Sequence, residues 1–277
     1  MGLRINTNVS ALSAMRTLNN TKNALDSTLE RLSSGSRINR AGDDAAGLAI
    51  SENLRATIRG FRQAKRNAQD GVSMIQVTEG GLNEISNMII RLRELSIQAA
   101  SDTVGDKERS FTNREFQALK SEMQRIAEST NFNGNPLLNG KAGLFEIQVG
   151  VNNNPMSDRI VYNAENANVT LESLGLVGES VATKLGAQTS LSSLDESLTR
   201  VNSVRADLGA MQNRLQSTIN SLAISDENLS AANSRIRDSD LALEVSEMTK
   251  NNILMQAGIS VLGQANNQAQ SALKLLA

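Results

Sequence analysis

The chain lacks two chemically versatile side chains altogether, because its 277 residues include no cysteine and no histidine. Without them there is no thiol nucleophile, no imidazole base and no Cys/His zinc site. Disulfides are also excluded, so stability must come from packing or from assembly. The 28 basic and 29 acidic residues give a formal net charge of -1, which provides no strong field for nucleic acid or anionic lipid. We therefore expect no enzymatic activity, no cofactor, no metal and no nucleic-acid partner.

Aromatic residues and prolines are scarce. The chain has no tryptophan, five phenylalanines and one tyrosine. Aromatic rings dominate the packing of ordinary cores, so a thick globular core is not expected. The two prolines, Pro136 and Pro155, both lie in mid-chain and leave a long proline-free arm on each side. No apolar run reaches the length of a membrane span, and the polar first ten residues do not resemble a cleavable signal peptide, so neither is expected.

Both proline-free arms carry apolar residues at intervals of seven. The C-terminal series is Val201, Leu208, Leu215, Leu222, Leu229, Ile236 and Leu243. The N-terminal series are Ala11, Leu18, Leu25 and Leu32, and then Leu54, Phe61, Ala68, Ile75, Leu82 and Ile89. A strict period of seven predicts helices that pack nearly parallel in a left-handed sense. Polar residues at several i+3 positions favour a bundle over a two-stranded zipper.

Capping residues and glycines predict where the helices begin and end. A first helix starts after Thr7 or Asn8 and ends near residues 33–35, where a Gly-rich connector follows. Asp43 or Asp44 caps a second helix that reaches about residue 100. This assignment competes with a catalytic or metal-binding carboxylate pair, and capping is favoured. A third helix covers about 107–129, and a final helical stretch runs from near Leu191 to Leu276 with a break.

The middle of the chain predicts β structure. Alternating residues at 144–149 and 159–162 indicate two strands, with a turn at 152–155 between them. Residues 168–174 are expected to add a further short element. The predicted fold is mainly α, an elongated antiparallel helical bundle or coiled coil built from both termini, with a small β-hairpin region. Three domains are predicted: a terminal helical domain (1–42 with 234–277), a helical rod domain (43–130 with 191–233), and the hairpin with its connections (131–190).

Several sequence motifs resemble those of bacterial flagellins, in the family's order. They are MGLRINTN at 1–8, RLSSGSRINRAGDDAAGLAI at 31–50, LREL at 92–95, FNG at 132–134, IRDSD at 236–240, and a Gln/Asn/Ala-rich C-terminus ending at Leu275 and Leu276. The resemblance covers about the first 135 and the last 90 residues. It implies a structural subunit of the flagellar filament, of a short form whose variable outer domains are reduced or absent.

The resemblance also implies location and partners. It places the protein outside the cell in the filament, exported without a cleavable signal peptide. Its partners would be other copies of the chain or related flagellins, an export chaperone, the filament cap and the hook-junction proteins. The assembly contacts in the filament core are expected at Leu18, Leu25, Leu32, Leu229, Ile236 and Leu243.

Ordering the terminal arms costs about 1–2 kcal/mol per residue, which a lone two-helix hairpin does not recover. We therefore expect the terminal helices to fold on assembly, when neighbouring subunits bury them.

Some flagellins are bound by a vertebrate Toll-like receptor through an Arg, a Leu and a Glu. The matching positions are Arg91, Leu95 and Glu115, with Gln98 nearby, and their alternative role is contact between subunits. Two other classes stay open. A hook–filament junction protein would share the terminal helices with flagellin. An intracellular coiled-coil scaffold would stop at small oligomers.

Overall fold

The computed structural model describes residues 7–274, with side chains as far as residue 267. Within this range the chain forms five helices and two small antiparallel sheets. The helices are α1 (Val9–Ser34), α2 (Ala45–Ala100), α3 (Asp106–Ser129), α4 (Lys184–Arg237) and α5 (Leu241–Lys274). The strands are β1 (Asn131–Phe132), β2 (Asn135–Pro136), β3 (Leu144–Gln148) and β4 (Arg159–Asn163). The predicted class, mainly α with a small β-hairpin region, is confirmed. The motif at 1–6 and the terminal Leu275 and Leu276 lie outside the described residues.

The described chain divides into two compact units. One unit is Thr57–Glu227, and the other joins the residues before Thr57 to those after Glu227. The boundaries between them fall inside α2 and α4. The exact limits of the three domains predicted from the sequence stay a prediction. None of the helices in the described range has the length and apolar character that a membrane span requires.

Helix α1 begins and ends as its sequence predicts. The side chain of Asn8 accepts a hydrogen bond from the Ala11 amide at 3.0 Å, which caps the start of the helix. Gly35 follows its last residue with a φ of 67°, and its amide donates to the Arg31 carbonyl at 2.9 Å. This left-handed ending is the one that glycine adopts without steric cost, so the helix stops there.

The larger unit is built on antiparallel pairing of α2 with α4 and with α3. Ion pairs across α2 and α4 join Arg62 to Asp226 near one end and Arg93 to Asp195 near the other. The apolar residues predicted at intervals of seven supply much of the core. Fully or almost fully buried members are Ala68, Ile75, Leu82 and Ile89 on α2, and Val201, Leu208 and Leu215 on α4.

The two hairpins fill the middle of the chain. Asn133 and Gly134 have φ values of 51° and 82°, as a two-residue type I′ turn between β1 and β2 requires. In the second hairpin, Phe145 lies opposite Tyr162 with ring centroids 6.1 Å apart. Burial raises the pKa of Tyr162 to about 12. The predicted strands are confirmed, whereas residues 168–174 form turns and not a further helix or strand.

Segment 171–181 lies between α3 and α4 and is held by polar side chains from both helices. The α3 residues that bond to it recur every three or four positions and are Asn113, Gln117, Lys120 and Gln124. The α4 residues do the same and are Ser190, Ser193, Ser197 and Arg200. Each set occupies one side of its helix. Polar residues of both helices therefore bond to a segment whose own Leu174, Leu176 and Val181 are buried in the core.

Helix α4 begins seven residues before the predicted start near Leu191. Thr183 caps it, since its hydroxyl accepts a hydrogen bond from the Gly186 amide at 3.1 Å. The predicted break in the C-terminal helical stretch is confirmed between Arg237 and Leu241.

Candidate assembly surfaces

Helices α1 and α5 pair in an antiparallel manner within the smaller unit. The side chain of Asn8, at the start of α1, donates to the Ala265 carbonyl at 2.9 Å. Near the other end, the guanidinium of Arg31 lies 3.6 Å from the carboxylate of Glu244. These contacts fix which side of α5 faces α1.

One of the two rows of α5 residues that face α1 is polar or small, which was not predicted. Its members recur every seven residues and are Glu244, Asn251, Gly258 and Ala265. Three of them, Glu244, Asn251 and Ala265, are 7%, 8% and 9% exposed. A Cβ on Gly258 would stand 3.2 Å from the Leu18 side chain, so the helices approach closely there. Between the members of this row lie Met248, Met255 and Leu262, which are only half-buried. The apolar burial of α5 within the subunit is therefore incomplete.

The predicted uninterrupted series through Leu243 is wrong in its register. The chain leaves the helical path at residues 238–240, where Asp240 caps α5 through hydrogen bonds to the amides of Ala242 and Leu243. After this break the position facing α1 is Glu244, one residue beyond the predicted one. Leu243 is consequently 62% exposed.

Seven large apolar residues of α5 are exposed to solvent. They are Leu241, Leu243, Val245, Ile253, Leu254, Ile259 and Val261. The exposed large apolar residues of α1 are Val9, Leu12, Met15 and Leu29. Spacings of one, two and eight residues distribute the α5 set over several sides of the helix, and a helix that is apolar on several sides is normally buried. We call these eleven residues the exposed apolar face of the terminal helices.

The six predicted assembly residues differ in burial. Leu25 is buried at 8% exposure, Leu243 is exposed, and the other four, Leu18, Leu32, Leu229 and Ile236, are half-buried. Sequence reasoning found this set through its period but missed the other α5 residues. A signal for them was present, since α5 has few charged residues and apolar residues on more than one side.

The breaks after α1 and after α4 lie side by side and bond to each other. The amide of Arg37 donates to the Arg237 carbonyl at 2.6 Å, and the amide of Ser239 donates to the Gly35 carbonyl at 3.1 Å. The Arg237 guanidinium bonds to Glu52 and holds the pKa of that carboxyl below its ordinary value. We call residues 35–44 and 236–240 together the joint. Its backbone bonds place both breaks at one level.

The adjacent Asp43 and Asp44 organise the joint and are not a catalytic pair. Asp43 accepts hydrogen bonds from the amides of Arg40 at 2.9 Å and Asn39 at 3.1 Å, and these bonds lower its pKa. Asp44 accepts from the Gly47 amide at 2.8 Å and so caps α2. The capping interpretation is confirmed.

Gly47 is required by its neighbours in the same motif. A Cβ there would lie 2.8 Å from a methyl group of Ile38 and closer still to the Asp44 carboxylate. Ile38 is 1% exposed and forms the apolar centre of the joint. A side chain at position 47 would therefore displace either the cap or this isoleucine.

The four residues predicted to contact a receptor divide into two groups. Arg91 and Glu115 meet across α2 and α3, with the guanidinium 2.8 Å from the carboxylate, and Gln98 is exposed on the same helix as Arg91. The hydrogen bonds that Arg91 donates to Glu115 and then to Glu94 raise the pKa of its guanidinium. Leu95, by contrast, is 2% exposed within the core. It cannot offer its side chain to a partner unless that core repacks.

Two protein-family models match the chain. The model described as the bacterial flagellin N-terminal helical region matches residues 5–142, and that of the bacterial flagellin C-terminal helical region matches residues 191–276. The chain belongs to the bacterial flagellin family.

Curated flagellins and a solved flagellin structure resemble the chain. The flagellin of Halalkalibacterium halodurans is 44% identical over 272 residues, which are 98% of this chain and 99% of that protein. The flagellar filament 30.7 kDa core protein of Treponema maltophilum is 44% identical over 291 residues, with coverage of 98% and 99%. The crystal structure of Bacillus cereus flagellin superposes with a TM-score of 0.51 at 30% identity, over 57% of this chain and 88% of that one.

Membership decides the class of function. Flagellins are structural filament proteins, so the chain is a structural subunit and not an enzyme. The match at both ends and over nearly the whole length does not favour a hook–filament junction protein or an intracellular scaffold.

Proposed function

We propose that this chain polymerises with copies of itself into the extracellular filament of a bacterial flagellum, through the exposed apolar face of α1 and α5. One observation carries the proposal. Helix α5 presents Glu244, Asn251 and Gly258 to its intramolecular partner, whereas seven of its leucines, isoleucines and valines are exposed. Large apolar residues that stay exposed in this number are typical of a protein–protein contact. Neighbouring copies, which carry the same face, are the partners that the family implies.

The polar contact between α1 and α5 supports folding on assembly. In one row of this contact α5 places a carboxylate, an amide and a glycine, where a stable helical hairpin would place leucines, and the apolar residues of the other row are only half-buried. The conformational entropy lost on ordering the backbone costs about 1–2 kcal/mol per residue, and the contacts within one chain do not offset it. We expect the terminal helices to be largely unfolded in the monomer and helical in the filament. Far-UV circular dichroism of both states tests this, and equal helicity would contradict it.

Introduction of a charged residue into the exposed apolar face of the terminal helices tests whether this face is the polymerisation surface. Leu243→Asp should abolish seeded filament growth while leaving the unfolding of Thr57–Glu227 unchanged, because Leu243 is exposed in the subunit and would be buried only between subunits. Ile236→Asp should also abolish growth, because Ile236 is a half-buried residue of the joint. Met156→Asp is the matched control, since Met156 is an apolar residue at 95% exposure outside both terminal helices. Normal filaments from Leu243→Asp would overturn the assignment.

Further partners follow from the same proposal. An export chaperone would bind the unfolded terminal segments of the monomer, and the cap and hook-junction proteins would meet the folded ones at the filament ends. A purified export chaperone should therefore bind monomers and not the sides of filaments. Sedimentation of the chaperone with filaments along their length would contradict the expectation.

Receptor recognition is proposed for the exposed part of the predicted set. Arg91 and Glu115 form one ion pair, and the exposed Phe111 and Ile97 lie on the same two helices. A receptor reporter assay on Arg91→Ala and Glu115→Ala monomers should show a reduced response. Arg125→Ala, which removes an equally exposed Arg–Glu pair elsewhere on α3, is the control. An unchanged response in the first two variants would exclude the site.

A further inference from the structure

Methionine is the principal oxidant-sensitive residue type of this chain. There is no cysteine and no tryptophan, whereas nine methionines are present, and the single tyrosine, Tyr162, is buried. The described methionines differ widely in access. Met74 and Met123 are buried at 4% and 1% exposure, while Met15 and Met156 are exposed at 54% and 95%. A peroxide in solution therefore reaches Met156 with little hindrance, and it reaches Met15 whether α1 is folded or unfolded.

The two exposed methionines have different surroundings. Met15 follows Val9 and Leu12 at intervals of three residues, so the three lie on successive turns along one side of α1. All three are more than half exposed and belong to the exposed apolar face. Met156 lies in the turn between β3 and β4, where its nearly complete exposure means that it packs on nothing. A change in polarity at Met15 therefore alters an assembly surface, whereas the same change at Met156 does not.

We infer that Met15 is a reversible oxidation site that decides whether a free subunit can polymerise. The inference rests on the proposed filament function. The thioether sulfur attacks one oxygen of a hydroperoxide, the O–O bond breaks, and water or an alcohol leaves. The sulfur is oxidised by two electrons to the sulfoxide, and the peroxide is reduced. The product is polar and resists burial against the leucines and isoleucines of a neighbouring copy.

Seeded polymerisation after graded oxidation tests the inference. Monomers are treated with hydrogen peroxide, Met15 and Met156 sulfoxide are quantified by peptide mass spectrometry, and filament growth is measured. We expect growth to fall in proportion to Met15 oxidation, with the critical concentration rising about tenfold or more, which is what loss of one buried methionine side chain implies. Treatment with a methionine sulfoxide reductase and its thiol reductant should restore growth.

Two variants assign the effect to one residue. Met15→Leu conserves volume and apolarity, so it should polymerise normally and keep doing so after peroxide. Met156→Leu should remain as sensitive as the wild type. Met248 and Met255, half-buried on α5, are unchanged in both variants, so equal loss of growth in oxidised Met15→Leu would refute the inference. Full Met15 oxidation with normal growth would also refute it. Failure of the untreated wild type to form filaments would instead contradict the proposed function.

Discussion

Adjacent glycines in α2, Gly80 and Gly81, should respond in opposite directions to the same substitution. A Cβ added to Gly80 would meet no atom within 4 Å. A Cβ added to Gly81 would lie 2.8 Å from a methyl group of Leu138 and 2.8 Å from the Thr130 hydroxyl. Leu138 is fully buried, and the Thr130 hydroxyl is bonded to the Ile126 carbonyl at 2.7 Å, so neither neighbour can move without cost.

The magnitudes follow from two opposing effects. Alanine is favoured over glycine in a helix interior by about 1 kcal/mol, and this gain is the same at both positions. Overpacking of a filled core costs about 1–3 kcal/mol and applies only at Gly81. We therefore expect Gly80→Ala to stabilise the protein by about 1 kcal/mol and Gly81→Ala to destabilise it by up to about 2 kcal/mol. The difference between the two variants isolates the packing cost.

Urea unfolding followed by far-UV circular dichroism measures this difference, because the chain has no tryptophan to report by fluorescence. A change of 1 kcal/mol corresponds to a shift of about 0.3–1 M in the midpoint. The two variants should lie on opposite sides of the wild type with unchanged slopes. Equal stabilisation by both would refute the reasoning, since it would mean that segment 130–138 does not approach α2 at Gly81.

Two further predictions concern the polar contacts. Lys120→Met should destabilise the larger unit by about 1–3 kcal/mol, because the Val177 carbonyl loses its donor and the Glu179 carbonyl keeps only the bond from Gln117. Lys184→Met, which removes only a surface ion pair, should cost less than about 1 kcal/mol in the same urea assay. Burial lowers the pKa of Lys120, which means that burying its charge has a cost. A Lys120→Met variant more stable than the wild type would show that this cost exceeds the value of the two hydrogen bonds, and would contradict the prediction. At the joint, Arg237 holds the pKa of Glu52 below 4.5, so its contribution is complete above the unfolded value and is lost as the pH falls through the folded one. The thermal midpoints of wild-type and Glu52→Gln filaments should therefore converge only below about pH 4.5, and a difference independent of pH would contradict this.

Local signals predicted much of the fold. Asn8 and Gly35 delimit α1, Asp44 begins α2, and the alternation at 144–149 indicates β3, because each of these features depends on residues within a few positions of one another. The absence of proline from both arms allowed long helices, and α2 and α4 have 56 and 54 residues. Such features need no knowledge of which helices meet.

Contacts between distant segments were the part that the sequence did not reveal. Glycine in a helix interior by itself indicates only a weaker helix, yet the missing side chains of Gly60, Gly71 and Gly81 admit Val151, Ile147 and Leu138. The intervals of eleven and ten residues place all three glycines on one side of the helix, about three turns apart. Segment 138–151 passes along that side. The sequence around a glycine does not show whether the residue only weakens the helix or allows another segment to approach it closely. That distinction depends on the position of segment 138–151, which the sequence did not reveal.

The register of α5 depends on the break in the helix at residues 238–240. The chain leaves the helical path at 238–240, so Glu244 and not Leu243 faces α1, and Leu243 is 62% exposed. The period of seven in α4 therefore does not carry over into α5. The break at the joint determines which residues of α5 face α1, and seven large apolar residues of α5 remain exposed in the subunit.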